Sequence, residues 1–351
     1  MDWVRGDAVG RGSFATVNLA IPKTNSNSSQ FPSLTAVKSS EALTSSSLKN
    51  EKHVLDRLGS CPRIIRCFGD DYSFENGVEY YNLFLEYAAA GSLADQLKIH
   101  GGRVPEPNVR RYARSIVEGL IHVHQKGFVH CDIKLQNILV FEDGEIKIAD
   151  FGLAKEAGAK QGKSDERFEC RGTPLFMSPE SVNDGEYESP ADIWALGCVV
   201  VEMVTGKPAW KVEKESSMWS LLLRIGVGEE VPGIPEELSQ EGKDFLEKCF
   251  VKDPRKRWSA EMLLNHPFVS DDTVPFKHVY ESPRSHFEFP DWVSSVAASI
   301  PSSPDSQEPW TFDSSSCFNN SLYSPVDRLR QLVTARRPAS GSESDSWTSV
   351  R

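Results

Sequence analysis

The sequence predicts an α+β protein of two lobes, a small β-rich lobe followed by a larger helical one, with a mostly disordered C-terminal tail. Three observations support this fold class. Residues 1–90 hold several short apolar or alternating runs, which are typical of strands. Residues 91–270 place their apolar side chains mainly at helical spacing. Residues 271–351 are rich in serine and proline, a composition typical of disordered segments.

The elements of the first lobe follow from their local patterns. The five predicted strands are Trp3–Val9, Ala15–Ile21, Leu34–Ser39, Ile64–Phe68 and Tyr80–Glu86. A helix is predicted between the third and fourth strands, because Leu48, Leu55 and Leu58 recur at helical spacing. The serines at 45–47 are suited to cap its start.

In the second lobe, the pattern predicts a long helix over Pro107–Lys126. Two short strands, Ile138–Phe141 and Ile146–Ile148, flank the turn between them. The apolar run Ile193–Val204 is too short to span a bilayer, so it predicts a buried helix.

Charge and cysteine content narrow the class of protein. The chain has 351 residues and a net charge of −11, which disfavours a generic nucleic-acid binder. Its 7 cysteines are scattered without a CxxC pair, which indicates reduced thiols rather than disulfides or a zinc site. The first residues lack a signal-peptide pattern, and no apolar run is long enough for a membrane span. We therefore expect a cytoplasmic protein, with entry into the nucleus left open.

A glycine pair lies between the first two predicted strands. Gly10 and Gly12 allow the backbone to fold closely over phosphates, although an ordinary hairpin turn explains the pair equally well. A dinucleotide fingerprint is disfavoured, because that motif leads from a strand into a helix.

Further along, Lys38 ends the third strand and Glu51 lies on the apolar-periodic helix 13 residues later. Alone, Lys38 is a lysine that could simply reach solvent at a strand edge. If the helix packs on the sheet, Glu51 can pair with Lys38 and hold it against ATP phosphates.

The most specific pattern runs from His130 to Asn137 and continues at Asp150-Phe151-Gly152. Phosphoryl transfer needs a carboxylate that orients and deprotonates a hydroxyl, and Asp132 suits that role. It also needs oxygen ligands for Mg²⁺, which Asn137 and Asp150 can supply. Lys134 can neutralise charge on the transferred phosphoryl group.

With these motifs in this order, residues 3–269 resemble a eukaryotic protein kinase domain, and residues 270–351 would be a regulatory tail. Later landmarks of that resemblance are Gly172-Thr173-Pro174, Ser178-Pro179-Glu180, the run from Asp192 to Gly197, and the run from Asp253 to Trp258. The resemblance implies ATP and Mg²⁺ as cofactors. It implies an adenine pocket with Leu85 as gatekeeper, a Glu180–Arg257 pair in the large lobe, and a stack of Leu55, His130 and Phe151. The implied cofactor-binding residues are Val9, Gly10, Gly12, Val17, Ala36, Lys38, Glu51, Glu86, Ala88 and Leu139.

Lys134 and the Gly172-Thr173-Pro174 run are similar to serine/threonine rather than tyrosine kinases. The run from Gly172 to Glu180 resembles that of mitogen-activated protein kinase kinase kinases, and the His130-Cys131-Asp132 loop with a short Ser-rich tail resembles their plant branch. A protein substrate, a mitogen-activated protein kinase kinase, is therefore expected.

One departure from the family pattern stands directly before Asp132. Cys131 replaces the usual arginine, which in many kinases binds a phosphate on the activation segment. The chain is then either a kinase that needs no such phosphate or a silent pseudokinase scaffold, and the complete catalytic set favours the first. A Ser/Thr kinase outside the mitogen-activated cascade is a further alternative. Ser164 is then expected to be the main free phosphosite of the segment. Cys170 beside Arg171 is interpreted as an ordinary loop cysteine, with redox sensitivity as the alternative.

The tail carries Ser-Pro pairs at Ser282, Ser303 and Ser324, which are candidate sites for a feedback kinase. The stretch His286–Val293 and a capped helix over Ser324–Arg337 are candidate docking segments for an activator, a substrate kinase or the kinase lobe itself.

Overall fold

The computed structural model describes residues 3–270, apart from 13–14, 24–31, 33, 100, 160–170 and 212–216. Ser164, Cys170 and the whole tail therefore lie outside the described residues. The described residues of the smaller lobe form five strands and one α-helix. They are β1 (Trp3–Arg11), β2 (Thr16–Pro22), β3 (Thr35–Glu41), α1 (Ser46–Leu58), β4 (Cys67–Glu75) and β5 (Val78–Glu86).

The five strands form one antiparallel sheet in the order β1-β2-β3-β5-β4. The helix α1 covers one face of this sheet, and its buried residues Leu48, Leu55 and Leu58 enter the same core as Leu83 and Leu85 of β5. Their spacing of seven and then three residues puts these leucines on one helix face, as the sequence predicts. The sheet and helix thus bring Lys38 of β3 and Glu51 of α1 to the same interface.

The larger lobe is mainly helical among the described residues. Its elements are α2 (Leu93–Ile99), α3 (Glu106–Gln125), β6 (Phe128–Val129), β7 (Ile138–Val140), β8 (Ile146–Ile148), β9 (Lys155–Glu156), α4 (Pro179–Asp184), α5 (Ser189–Thr205), α6 (Met218–Gly226), α7 (Gln240–Cys249) and α8 (Ala260–Leu264). β6 pairs with β9 and β7 with β8, and these two short strand pairs hold the loops that carry the polar motifs.

The helix α5 is buried on nearly every side, which explains its almost continuous apolar sequence. Its start contains Pro190, and Gly206 ends it in the left-handed conformation at φ 71°. Within the described part of the chain, no helix has both the length and the apolar character that a membrane crossing requires.

Two details of the predicted elements are wrong. The fourth strand begins at Cys67 rather than Ile64, because Ile64 makes only an isolated bridge to Ile148 in the other lobe. Ser45 does not cap α1 with its side chain. A short 3₁₀ helix, Ala42–Thr44, leads straight into α1, and the Ser45 hydroxyl donates to the Ala42 carbonyl instead.

Candidate active site

The glycine pair lies at the end of β1 and in the turn that follows it. Gly10 pairs with Val17 of β2, and the Gly12 N–H donates to the Ala15 carbonyl at 2.9 Å. A tight strand–turn–strand connection of this kind presents backbone N–H groups rather than side chains to the cleft. Gly12 therefore lies between the two strands, as predicted, whereas Gly10 is still part of β1.

Lys38 forms the centre of a buried ion cluster between the lobes. Its Nζ donates to Glu51 Oε2 at 2.6 Å and to Asp150 Oδ1 at 3.0 Å. The Glu51 side chain has no exposed surface, whereas that of Asp150 is 46% exposed. Burial disfavours the charge on Lys38, but the two carboxylates outweigh that effect and raise its pKa. Lys38 is thus held in its protonated form, and its partner Asp150 is the member of the cluster that is exposed to the cleft.

The same helix that carries Glu51 also fixes the segment around Asp150. The Asn50 side chain donates to the carbonyls of Gly152 at 3.1 Å and Ala154 at 2.9 Å. Glu51 Oε1 accepts a hydrogen bond from the Phe151 N–H at 3.3 Å. Sequence reasoning missed Asn50, and the one available signal was an amide side chain next to Glu51 on a helix that faces the cleft.

A second polar cluster surrounds Asp132. Asp132 Oδ1 accepts from the Thr173 hydroxyl at 2.8 Å, and its Oδ2 lies 2.7 Å from Lys134 Nζ. Lys134 Nζ also donates to Thr173 Oγ1 at 2.9 Å. Thr173 therefore contacts both Asp132 and Lys134. A carboxylate, an ammonium and a hydroxyl thus meet where a hydroxyl substrate would enter.

Asn137 links this cluster to the metal-binding residues proposed from the sequence. Its amide donates to the Asp132 carbonyl at 2.8 Å and to Asp132 Oδ2 at 3.1 Å, so its Nδ2 is occupied by Asp132. The remaining oxygen, Oδ1, is the atom that a cation would use. The Ala149 N–H donates to the Asn137 carbonyl at 2.8 Å, which ties Asn137 to the chain just before Asp150.

The donor set fits Mg²⁺ only with help from a ligand. Among the described residues, no group of three or more His, Cys, Asp and Glu side chains could hold a metal ion. Mg²⁺ is usually bound by one or two protein oxygens together with phosphates and water. Asp150, with its half-exposed carboxylate, and Asn137 match that pattern, so the residues present fit a phosphate-bound magnesium ion.

The backbone of the loop before Asp132 is held by Asp192 at the start of α5. The carboxylate accepts from the N–H groups of His130 and Cys131 and lies next to His124 Nε2, each at 2.9 Å. Cys131 itself adopts a φ of 67°, a left-handed conformation that a non-glycine residue rarely takes. The start of α5 therefore anchors this loop, and His124 is an additional partner that the sequence did not reveal.

Two apolar contacts predicted for the site can be located. The rings of His130 and Phe151 pack edge-on with 4.7 Å between centroids. Leu55 belongs to the same buried core as Phe151.

In the larger lobe, Arg257 and Glu180 form the expected buried pair, with nitrogen–oxygen distances of 2.6 and 3.0 Å.

The residues predicted to surround adenine lie at the junction of the lobes. Ala36 pairs with Leu85 across β3 and β5, and Val17 pairs with Lys38 across β2 and β3. On the side of the larger lobe, Leu139 of β7 forms an isolated β-bridge to Ser92. Val9 is 44% exposed on β1, as a residue that lines an open cleft should be.

The hinge between the lobes begins at Glu86. Its N–H donates to the Arg66 carbonyl at 2.9 Å, and its carboxylate binds Lys147 Nζ at 2.6 and 2.7 Å. The Ala88 carbonyl accepts from the Gly91 N–H at 3.1 Å. Glu86 and Ala88, both expected to bind the cofactor, therefore lie close together where β5 leaves the smaller lobe. Sequence reasoning missed Lys147, a β8 residue whose side chain ties the hinge to the larger lobe.

Cys131 is partly buried, and its surroundings disfavour a reactive thiol. Burial, followed by the nearby Asp192 carboxylate, raises the pKa of its thiol. The thiol donates to the Val129 carbonyl at 3.6 Å. A nucleophilic role is therefore disfavoured.

A β-sheet lobe and a helical lobe that join at a lysine–carboxylate pair, with an aspartate loop facing it, define a protein kinase. The chain belongs to the protein kinase domain family, which matches residues 3–269. The family resemblance inferred from the sequence motifs is therefore confirmed.

The chain is also similar to individual kinases. It is 52% identical to mitogen-activated protein kinase kinase kinase 20 of Arabidopsis thaliana, and the match covers 100% of both chains. Mitogen-activated protein kinase kinase kinase 17 of the same plant is 44% identical over 77% of this chain and 70% of that one. The serine/threonine-protein kinase BCK1/SLK1/SSP31 of Saccharomyces cerevisiae is 35% identical over 78% of this chain and 19% of its own length. The protein is accordingly a protein serine/threonine kinase.

Proposed function

We propose that the protein is an ATP- and Mg²⁺-dependent mitogen-activated protein kinase kinase kinase, whose substrate is a mitogen-activated protein kinase kinase. The observation that carries the enzymatic part is the pair of polar clusters, Lys38–Glu51–Asp150 on one side of the cleft and Asp132–Lys134–Thr173 on the other. The substrate class is supported by the similarity along the full chain to a plant kinase of that name.

The roles of the residues follow from their contacts. Asp132 Oδ1 accepts a hydrogen bond from the Thr173 hydroxyl, with 2.8 Å between the two oxygens. The same carboxylate oxygen is therefore placed to take the proton from an incoming serine or threonine hydroxyl. Lys134 stands beside it to balance charge on the transferred group. Lys38 holds phosphate oxygens, while Glu51 keeps the Lys38 ammonium in position. Asn137 and Asp150 would hold magnesium, which neutralises phosphate charge when bound.

The alternative of a catalytically silent scaffold is not favoured. A scaffold has no chemical need for Lys38, Asp132, Asn137 and Asp150 in contact with their catalytic partners, and the structure keeps each of these contacts. A kinase outside the mitogen-activated cascade would share the same chemistry and differ in its acceptor. The acceptor therefore has to be tested directly.

The experiment compares phosphoryl transfer from ATP and Mg²⁺ by the wild type and by Asp132→Asn. Asp184→Asn, at the exposed end of α4, is the matched control. The acceptors are a panel of kinase-dead mitogen-activated protein kinase kinases and a generic basic protein. Transfer to the panel that is lost in Asp132→Asn alone supports the proposal. Transfer to the generic protein only would reject the substrate class, and no transfer above the Asp132→Asn background would reject the enzyme.

We also propose, from sequence alone, that the tail binds an activator or a feedback kinase and that the protein resides in the cytoplasm. The tail lies outside the described residues. Phosphopeptide mapping of Ser282, Ser303 and Ser324 after incubation with a proline-directed kinase tests the first point. Imaging of the tagged full-length chain tests the second.

A further inference from the structure

The two stretches of chain that flank residues 160–170 both form hydrogen bonds with the residues just before α5. On one side, the Arg171 N–H donates to the Tyr187 hydroxyl at 2.8 Å. On the other side, the Glu188 carboxylate accepts the Gly158 N–H, with 3.0 Å to each oxygen, and Lys155 Nζ at 3.1 Å. The neighbouring pair Tyr187 and Glu188 thus binds the chain before and after this segment.

The Glu188 side chain does not cap the helix α5 that follows it. It occupies the residue before α5, yet its side chain makes no capping hydrogen bond there. Its carboxylate instead accepts hydrogen bonds on the β9 side of the site, from the main-chain N–H of Gly158 and from the side chain of Lys155. Hydrogen bonds to an ionised carboxylate are among the stronger ones in proteins, so this contact contributes more than a neutral one would.

The surroundings of Cys131 show why such a carboxylate matters. Protein kinases commonly order the segment in front of the site when a phosphate pairs with a nearby cation. Cys131 supplies no cation, and the positive charges that act on its thiol are Arg171 and Lys155. Lys155 lies directly opposite Val129 in the β6–β9 pair, two residues before Cys131. This cation is already bound to Glu188.

We propose that Glu188 is a positioning residue that replaces an activation-segment phosphate with a permanent carboxylate. It holds β9 and Gly158 against the start of α5, and the same helix start holds the loop of Asp132 through Asp192. Transfer activity therefore requires Glu188 and does not require a phosphate on residues 160–170. This inference rests on the proposed kinase function and specifies how the acceptor side of that site is regulated.

The test uses full-length protein treated with phosphatase. Glu188→Ala removes the carboxylate, Glu188→Gln removes only its charge, and Glu188→Asp keeps the charge on a shorter side chain. Glu186→Gln, on the exposed neighbour, is the matched control. For each protein, kcat and KM are measured separately for ATP and for the protein acceptor, and thermal melting checks the fold.

We expect Glu188→Ala to lower kcat/KM for the acceptor by about 10-fold or more, with Glu188→Gln in between and partial recovery in Glu188→Asp. The KM for ATP should stay within about two-fold, because Lys38, Glu51 and Asp150 do not contact Glu188. Trypsin cleavage after Lys160, Lys163 or Arg167 should become faster in Glu188→Ala. Lys155→Gln, which breaks the same ion pair from β9, should reproduce the loss even if Glu188→Ala does not fold.

Three results would overturn the inference. The first is equal acceptor kinetics in wild type, Glu188→Ala and Lys155→Gln. The second is an equal loss in Glu186→Gln, which would make the effect one of general surface charge. The third is a wild type that is active before phosphatase treatment and inactive after it, which would leave the kinase function intact. A wild type inactive in both states would instead reject the proposed function itself.

Discussion

The carboxylate of Asp192 offers the sharpest test of how the fold holds the site. Its side chain is 1% exposed and meets three groups at 2.9 Å, the N–H groups of His130 and Cys131 and Nε2 of His124. Asp192→Asn keeps one acceptor oxygen but turns an amide donor toward one of these N–H groups. Hydrogen bonds to a charged group contribute about 1.5–3 kcal/mol, and a buried donor left unpaired costs about 1–3 kcal/mol. We therefore expect the free energy of unfolding to fall by about 3–5 kcal/mol.

Urea unfolding of both proteins, followed by fluorescence and circular dichroism, gives this difference directly. Asp184→Asn is the control, because its side chain is exposed and its change should stay within about 0.5 kcal/mol. Transfer activity of Asp192→Asn should also fall at temperatures where the protein is still folded, since the Asp132 loop loses its anchor. A loss of stability below about 1 kcal/mol would refute the reasoning, because it would mean that the three contacts are replaceable.

The same residue predicts an acid-side dependence of stability. Burial alone would raise the pKa of Asp192, but the hydrogen bond and charge of His124 outweigh it, so the pKa is lowered. A native pKa below the unfolded value of about 3.9 means that the stabilisation is complete above that pH. It is lost as the pH falls through the native pKa. The difference in unfolding free energy between wild type and Asp192→Asn should therefore shrink in acid, and a constant difference from pH 7 down to pH 3 would contradict the assignment.

Three further outcomes are expected. Glu180→Gln leaves Arg257 buried without its anion and should lower the unfolding free energy by about 3–5 kcal/mol in urea titrations, whereas the double variant with Arg257→Met should lose less than the sum of the two. Gly172→Ala places a methyl group against the Cys131 carbonyl at a φ of 94°, so it should displace Thr173 and lower kcat by at least about ten-fold while ATP binding is kept. The Cys131 thiol, whose pKa burial raises, should resist alkylation at pH 8 in the folded protein and react in urea; rapid labelling of the native form, read by mass spectrometry, would contradict this.

The residues of the site were predictable because their chemistry restricts them strongly. Lys38 and Glu51 follow a strand and a helix whose periodicities are visible in the sequence, and their packing leaves few positions for the pair. Asp132 and Asn137 lie in one short loop, so their contact follows from their spacing alone. The sequence could not show the left-handed backbone of Cys131 and Asp150, at φ 67° and 65°, because cysteine rarely takes that conformation and aspartate takes it only occasionally.

The strand β4 shows where local pattern fails. Its residues from Gly69 to Ser73 are mostly polar and half-exposed, so their hydropathy does not mark a strand. Pairing with the buried strand β5 holds these residues in a strand. Tertiary contacts therefore override the weak strand propensity of the local sequence. A usable signal was present in Asn76-Gly77, both at positive φ, because this pair favours a tight hairpin turn between two strands.

The burial of α5 has a consequence for motion in the site. Loops that carry function are usually among the more mobile parts of a protein. Here the amides of His130 and Cys131 donate to the buried carboxylate of Asp192 in the first turn of α5, so they can open to solvent only when α5 itself moves. Their hydrogen exchange should follow the slow exchange of the core rather than that of the surface. The catalytic loop then has no low-temperature melting step of its own, and heat should inactivate the enzyme and unfold the larger lobe in a single transition.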